Sequence, residues 1–247
     1  MSTEPNRDAD ARVVWVTGAG SGIGQAAAIA AADAGWRVAL SGRRVEALDE
    51  TAHAIRDRSG EAMVVPLDVN DSAAVVAAAA AVASRWGRID GLVIAAGLNA
   101  PERRWDDQSM ETFDRIIQTN LIAPAHVISA ALPQLRVRGG AVVVVSSYAA
   151  WTFSPNAGVA YSASKSGLSA LTRTLNAQEA GSRIRATHLC PGDVDSDFLD
   201  LRPRVPDASA RSAMLSPAEV ARSIQFILNA PEHLRFDELV VSPLSQI

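Results

Sequence analysis

The chain has 247 residues, of which 48% are hydrophobic, 20% charged and 5% aromatic. Against 27 acidic residues stand 23 basic ones, a formal net charge of −4. That balance excludes a nucleic-acid binder acting by phosphate neutralisation, and the apolar share excludes a disordered chain. The length suits one α/β domain with a full core. Cys190 is the single cysteine, so no intrachain disulfide can form, and a reducing, cytoplasmic compartment is expected. Residues 1–10 are polar and charged, unlike a secretory signal. The longest apolar run, Ala73–Ala83, lies between Asp71 and Arg85 and is too short to span a bilayer.

In chain order, residues 1–10 read as a flexible tail and 11–247 as the domain. Arg12–Thr17 is a short β-branched run suited to a strand buried on both faces. A glycine-rich turn and an alanine-dense helix over Ile23–Ala34 follow, with Gly35 at the C-terminal position. Arg37–Ser41 is a second strand, Val45–Arg58 a helix closed by Gly60, and Ala62–Pro66 a third strand. Asp71 or Ser72 caps a helix through Trp86, and Gly91–Ala95 is a fourth strand. Ser109 is an N-cap for a helix from Met110 to about Leu135, bent at Pro124 and Pro133. Ala141–Val145 is a fifth strand, Pro155–Ala180 holds a long helix, and Ile184–Leu189 is a sixth strand. Residues 191–215 are irregular, which in a compact domain suggests a binding loop or lid. Ser216-Pro217-Ala218-Glu219 starts a helix that ends near Asn229, and Glu238–Ser242 is the last strand. This alternation implies βαβ units and a parallel sheet with helices on both faces.

The first strand runs straight into Thr17-Gly18-Ala19-Gly20-Ser21-Gly22-Ile23-Gly24. A strand, a glycine turn and a helix offer backbone N–H groups and a positive helix end to a pyrophosphate. A P-loop would need Lys after the last glycine, where Gln25 stands, and a GxGxxG frame lacks its third glycine; the pattern is TGxxxGxG. The second strand ends at Ser41-Gly42-Arg43-Arg44. Gly42 stands where an acid would bind the 2′-hydroxyl of NAD. Arg43 beside it would receive a 2′-phosphate, so NADP(H) is expected over NAD(H); the alternative is that Arg43 and Arg44 only open a solvated helix.

Tyr161 and Lys165 share a YxxxK spacing that puts them on one helix face. An ammonium beside a phenol favours the phenolate, and lowering its pKa by about 2–3 takes roughly 3–4 kcal/mol. Tyr161 would then act as general acid or base on a carbonyl or alcohol. Ser146-Ser147 ends the fifth strand, at the edge where ligands bind parallel sheets. Asn120 lies mid-helix, where its propensity is poor; by itself it reads as a buried amide satisfied by backbone.

TGAGSGIG, Asp68, Asn120, Ser147, Tyr161-x-x-x-Lys165 and Pro191-Gly192, in this order over residues 11–243, resemble the short-chain dehydrogenase/reductase family. The resemblance implies a Rossmann-type doubly wound parallel sheet of order 3-2-1-4-5-6-7, one NAD(P) per subunit, and reversible hydride transfer between nicotinamide and a carbonyl or secondary alcohol. It implies Tyr161 as the acid/base and Lys165 as the group that lowers its pKa and binds the nicotinamide ribose. Ser147 would bond the reacting oxygen, and Asn120 would hold a water linking Lys165 to solvent. Gly18, Ser21, Gly22, Ile23 and Gly24 would hold the pyrophosphate, Arg43 and Arg44 the 2′ end, and Asp68 and Val69 the adenine. Ala95, Ala96, Gly97, Pro191, Gly192, Val194 and Ser196 would flank the nicotinamide end, with Ser196 at the carboxamide. A homotetramer or dimer packed through 110–135 and 155–180 is implied as well.

The chain departs from the family pattern in three places. Ile94-Ala95-Ala96-Gly97 replaces Asn-Asn-Ala-Gly, removing an amide that steadies the strand. Ser147 lies one residue further from Tyr161 than is commonest, with Ser146 as rival. Asp193 and Asp195 make the loop start acidic, either capping backbone N–H groups or discouraging anionic substrates. Trp151, Phe153, Phe198 and Leu199 are candidates for an apolar substrate pocket, and the 97–108 and 191–215 loops for substrate choice. His53, His126, His188 and His233 are scattered without metal-ligand spacing, and no GxSxG elbow supports a serine hydrolase. The rival readings are a non-catalytic NAD(P)-binding sensor or scaffold, an NAD-dependent alcohol dehydrogenase, and an epimerase or dehydratase using the same Tyr–Lys pair.

Overall fold

The computed structural model describes residues 11–246; the expected tail at 1–10 lies outside the described residues. Seven parallel strands form one sheet, β1 (Val13–Thr17), β2 (Arg37–Ser41), β3 (Ala62–Val64), β4 (Gly91–Ile94), β5 (Gly140–Val145), β6 (Ile184–Pro191) and β7 (Glu238–Val241). Their order is β3-β2-β1-β4-β5-β6-β7, the doubly wound Rossmann-type arrangement. The central strands are buried on both faces, which is why they read as continuous apolar runs rather than alternating ones.

Two apolar layers cover the sheet. On one face, α1 (Gly22–Asp33), α2 (Val45–Arg56) and α9 (Pro217–Leu228) pack over Val14, Val16, Val38, Leu40, Val93 and Val143. Alanines at 27, 28 and 31 let α1 lie close to α9, and Gln225 Nε2 donates to the Ala30 carbonyl across that seam (3.1 Å). On the other face, α3 (Ser72–Trp86), α5 (Ala123–Arg138) and α7 (Val159–Gln178) cover Val13, Trp15, Leu92, Val142 and Val144. Asp71 caps α3, and Ser216 with Glu219 forms a capping box on α9.

Four expectations are corrected. The helix from Met110 is not one uninterrupted α-helix ending near Leu135: α4 (Met110–Ile117) passes through a π-helical turn, Gln118–Ile122, into α5, which continues through Pro133 to Arg138. Pro124 has no N–H for the carbonyl four residues back, at Asn120, and its ring would clash there; widening the helix just before it removes the conflict. The helix expected from Pro155 begins only at Val159, because Gly158 has φ +103°; a short helix α6 (Tyr148–Trp151) precedes it. Residues 191–215 are not irregular throughout: they hold a 3₁₀ turn (Asp197–Leu201) and α8 (Ala208–Ser212), and a bridge between Val194 and Leu215 ties their ends. The third strand stops at Val64, and the sixth runs on to Pro191. The continuous Met110–Arg138 stretch is long and apolar enough by composition to cross a bilayer, but here it is a flanking helix packed on α3, α7 and β4.

The lower end of the sheet is locked by a buried ion pair. Asp90 is 7% exposed; its Oδ2 accepts from the Val13 N–H (2.8 Å) and from Arg88 Nε (2.7 Å), and its carbonyl accepts from Ala141 N (3.0 Å). The Asp90 side chain thus ties the start of β4 to β1, and its backbone carbonyl ties it to β5. Removing it leaves the buried Val13 N–H without its acceptor and takes the carboxylate away from Arg88. Asp90→Ala is expected to lower unfolding free energy by about 3 kcal/mol, measured by urea titration; a loss under about 1 kcal/mol would show that the pair is dispensable.

Candidate active site

The strand order reverses between β1 and β4, and a crevice opens there at the carboxyl ends of the strands. The turn after β1 closes on itself and on β4. A side chain at Gly24 would meet the Gly18 carbonyl at 2.1 Å, and one at Gly18, whose φ is +71°, would meet Ala96 N at 2.7 Å. Only glycine fits either position. The N-terminus of α1 therefore faces an open cradle rather than side chains, the arrangement that accepts a pyrophosphate.

The crevice is a cleft of about 1760 Å³, larger than the ~300–1,000 Å³ of an ordinary small-molecule site and ample for a dinucleotide with a second small molecule. Every site residue expected from the sequence lines it except Asn120. Arg43 and Arg44 lie at one end, exposed, with no carboxylate at ion-pair distance among the described residues. Ser196 faces the turn from the far wall, at van der Waals distance (3.6 Å) from where a Gly22 side chain would begin.

Tyr161, Ser147 and Lys165 converge on the cleft floor. The two candidate serines separate clearly. Ser146 Oγ turns inward to the Lys165 carbonyl (3.1 Å), whereas Ser147 lines the cleft, caps α6 by accepting from Ala149 N (3.2 Å), and acts on the Tyr161 phenol against the effect of burial. Lys165 is 4% exposed and donates from Nζ to the Val145 carbonyl (3.0 Å). Burial pushes its pKa down to about 8. The ammonium lies 5.7 Å from the Tyr161 ring centroid.

Burial raises the phenol above its usual value of about 10, and the groups that oppose this are Ser147, Arg103 and Arg202. Lys165 is turned toward the strand end and sits by the ring, away from that set.

Asn120 lies behind the cleft, fully buried on the π turn. Its Oδ1 accepts from Leu98 N (2.7 Å), and its Nδ2 donates to the Leu98 carbonyl (2.8 Å) and to Ser164 Oγ (3.2 Å). The amide thus clamps the chain leaving β4, as the plain buried-amide reading has it. Both Asn120 Oδ1 and Lys165 Nζ lie 3.6 Å from the point where a Gly97 side chain would begin. Thr17 Oγ1 is buried with no partner among the described residues. It stands at the strand end beside Ala95, where the family resemblance puts an amide and this chain has none.

Asp193 and Asp195 neither cap backbone nor present free negative charge: Asp193 pairs with Arg202 (2.5 Å) and Asp195 with Arg211 (2.6 Å). Phe198 stacks obliquely beside Tyr161, ring centroids 6.1 Å apart, and Phe153, Phe198 and Leu199 line the cleft. Trp151 does not; it packs on Tyr148 (5.1 Å). His188, Cys190 and Glu238 do come together, their candidate ligand atoms within 4.8 Å. They belong to neighbouring strands in register, so no sequence spacing reveals the group, and hydrogen bonds account for it: His188 Nδ1 to Glu238 Oε2 (3.1 Å) and Cys190 Sγ to His188 Nδ1 (3.4 Å). Burial pushes the Cys190 thiol up to about 12, so it is inert at neutral pH.

Sequence reasoning missed Arg103, Arg202 and Gly158 at the cleft. The arginines sit in charged runs that look like solvated loops. One unused signal strengthens the motif: Lys165 is the only lysine in the chain, and the one lysine of a protein being buried is not a surface accident.

A dinucleotide cradle beside a buried Tyr–Lys–Ser group defines an oxidoreductase that uses a nicotinamide cofactor on alcohols and carbonyls. The chain belongs to the short chain dehydrogenase family, whose model matches residues 12–204. It is 33% identical to a sulfoacetaldehyde reductase of Chromohalobacter salexigens over 94% of each chain. It is 32% identical to the glycine betaine reductase ATRR of Emericella nidulans over 98% of this chain but only 19% of that much longer protein. Among solved structures, it superposes on an alcohol dehydrogenase from Thermococcus sibiricus complexed with 5-hydroxy-NADP, with TM-score 0.86, 30% identity, and coverage of 96% of this chain and 99% of that one.

The single lysine allows a direct check of its environment. Selective nitrogen-15 lysine labelling should give one Nζ resonance titrating near pH 8, against about 10.4 for an exposed lysine. Because the folded pKa is the lower one, the unfolded chain holds more protons between pH 8 and 10.5, so Lys165 opposes folding below pH 8 and this opposition fades as pH rises through that window. A resonance titrating above 10 would contradict this burial.

Proposed function

We propose that residues 11–247 form a single catalytic domain of a cytoplasmic, NADP(H)-preferring carbonyl reductase or alcohol dehydrogenase, with 191–215 as its substrate loop. The convergence of Ser147, Tyr161 and Lys165 beside the glycine cradle carries this reading. The cofactor preference is supported by Gly42 where an acid would select NAD, and by Arg43 and Arg44 at the adjoining end of the cleft, which form no ion pair among the described residues. The NADP-type ligand of the Thermococcus enzyme agrees with it. A buried single cysteine suits a reducing compartment.

When bound, the nicotinamide ring supplies or accepts the hydride. The chain's own residues manage the proton. In the reduction, Tyr161 Oη donates to the carbonyl oxygen as that oxygen gains charge; in the oxidation, the same oxygen takes the alcohol proton. Burial keeps the phenol protonated at neutral pH, the form that reduction requires. Ser147 holds the reacting oxygen next to the phenol. Lys165, anchored on the Val145 carbonyl, would hold the nicotinamide ribose through its ammonium. Asn120 would hold a water between Lys165 and solvent so that Tyr161 is reprotonated, a role supported by the approach of both groups to Gly97. Asp68 and Val69 would border the adenine, and Pro191, Gly192, Val194 and Ser196 the nicotinamide end.

Tyr161→Phe should cut turnover by at least about 100-fold while NADPH binding, followed by fluorescence, persists; near wild-type turnover would end the acid/base assignment. Steady-state kinetics with both cofactors should give a higher kcat/KM for NADPH than for NADH, with Gly42→Asp reversing the order; an NADH preference in the wild type would refute the Arg43 assignment. We further propose a homotetramer or dimer packed through the 110–138 and 159–178 helices. Light scattering should show it, and a monomer at micromolar concentration would overturn it.

A further inference from the structure

Four arginines, Arg103, Arg104, Arg202 and Arg204, line the substrate side of the cleft. Arg104 is paired with Asp106 (3.1 Å) and Arg202 with Asp193. Arg103 differs. It is 6% exposed, yet among the described residues no carboxylate lies at ion-pair distance from it. Its Nε donates to the Ala100 carbonyl (2.8 Å) and its Nη2 to the Leu201 carbonyl. Both partners are neutral carbonyls; among the described residues the hydrogen bonds of the guanidinium run through Nε and Nη2, and Arg103 lines the cleft. Asp107 acts on this cation only from beyond ion-pair distance, and Arg202 opposes it; a buried cation so weakly compensated is costly, so this wall of the cleft favours a further negative charge.

The charge is held in place rather than left on a mobile arm. Gly158, at φ +103°, lies so close that a side chain there would meet Arg103 Cβ at 2.7 Å. The Arg103 carbonyl accepts from Val159 N (3.0 Å), at the start of the helix that carries Tyr161. Asn99 Nδ2 bonds the Ala157 carbonyl (3.1 Å), fixing the same loop to the same helix end. The guanidinium and the phenol are therefore positioned by one rigid element, close enough for Arg103 to act on the Tyr161 proton.

We infer that Arg103 is an anion-recognition residue, and that the substrate is a carbonyl or alcohol compound carrying a carboxylate or sulfonate, which Arg103 holds while Tyr161 addresses the oxygen. A guanidinium suits this task because its planar donors match an oxyanion, and it remains charged when buried. Phe198, flanking Tyr161, covers the carbon skeleton between the two ends. This inference rests on the oxidoreductase reading above and adds the chemical class of its substrate.

The test compares ω-oxo acids from glyoxylate to 6-oxohexanoate with their methyl esters, by NADPH oxidation, in wild type, Arg103→Gln and Arg103→Lys. Binding of the matching dicarboxylates to the NADP⁺-loaded enzyme is measured by calorimetry alongside. For the best oxo acid, the acid-over-ester ratio of kcat/KM is expected to be at least about tenfold, the equivalent of about 1.4 kcal/mol. It should fall to about one in Arg103→Gln and recover in part in Arg103→Lys, with NADPH affinity as the check that each variant is folded. An ester used as well as its acid, or a ratio unchanged in Arg103→Gln, overturns the inference. Dicarboxylate binding that is lost in Arg103→Gln, without turnover of any oxo acid, would show an anion site apart from the reaction and overturn the assignment of the substrate class. Absence of both binding and preference overturns the anion site.

Discussion

The ligand side of this protein depends on how closely the backbone after β1 lies against its own helix and against β4. Gly24 touches the Gly18 carbonyl, and Gly18 touches the backbone at Ala95 and Ala96. Any Cβ at either position would push α1 off the strand end. That would close the cradle of N–H groups and move β4, whose continuation is clamped by Asn120. Through Asn120 the same contact reaches the π turn, and through Ser164 it reaches the helix bearing Tyr161 and Lys165. Cofactor cradle and catalytic group are thus built on one chain of close contacts.

Burial sets the electrostatics of the site. It raises the phenol of Tyr161 and lowers the ammonium of Lys165, so that both groups approach neutrality before any ligand arrives. The groups that act against burial at Tyr161 are Ser147 and two arginines from the loops, not its helix neighbour. The 97–108 and 191–215 segments therefore do more than enclose a substrate; they contribute to the field at the reacting proton.

Those segments are also more ordered than their composition suggests. The acidic start of the second one is neutralised within itself, Asp193 by Arg202 and Asp195 by Arg211, and its ends are joined at Val194 and Leu215. With those acids paired off, the uncompensated charge beside Tyr161 is positive. The acids thereby change meaning: in sequence they suggest repulsion of anions, and in the fold they hold two arginines in position.

Local pattern alone determined much of this protein. Continuous apolar runs mark the strands because each is buried on both faces, the Ser216-Glu219 capping box marks α9, and the glycine spacing marks the cradle; the family resemblance supplied the strand order. Each of these signals is short-range, so spacing is enough to read it. Tertiary structure decided what depends on which distant groups meet. It turned Ser147 rather than Ser146 toward Tyr161, placed Asn120 behind the cleft, and moved Trp151 off it. It brought His188, Cys190 and Glu238 together across two strands, and left Arg103 buried, with no carboxylate at ion-pair distance among the described residues, although the cleft arginines all look alike in sequence. Charge pairing and burial are properties of neighbours far along the chain, and no local spacing carries them.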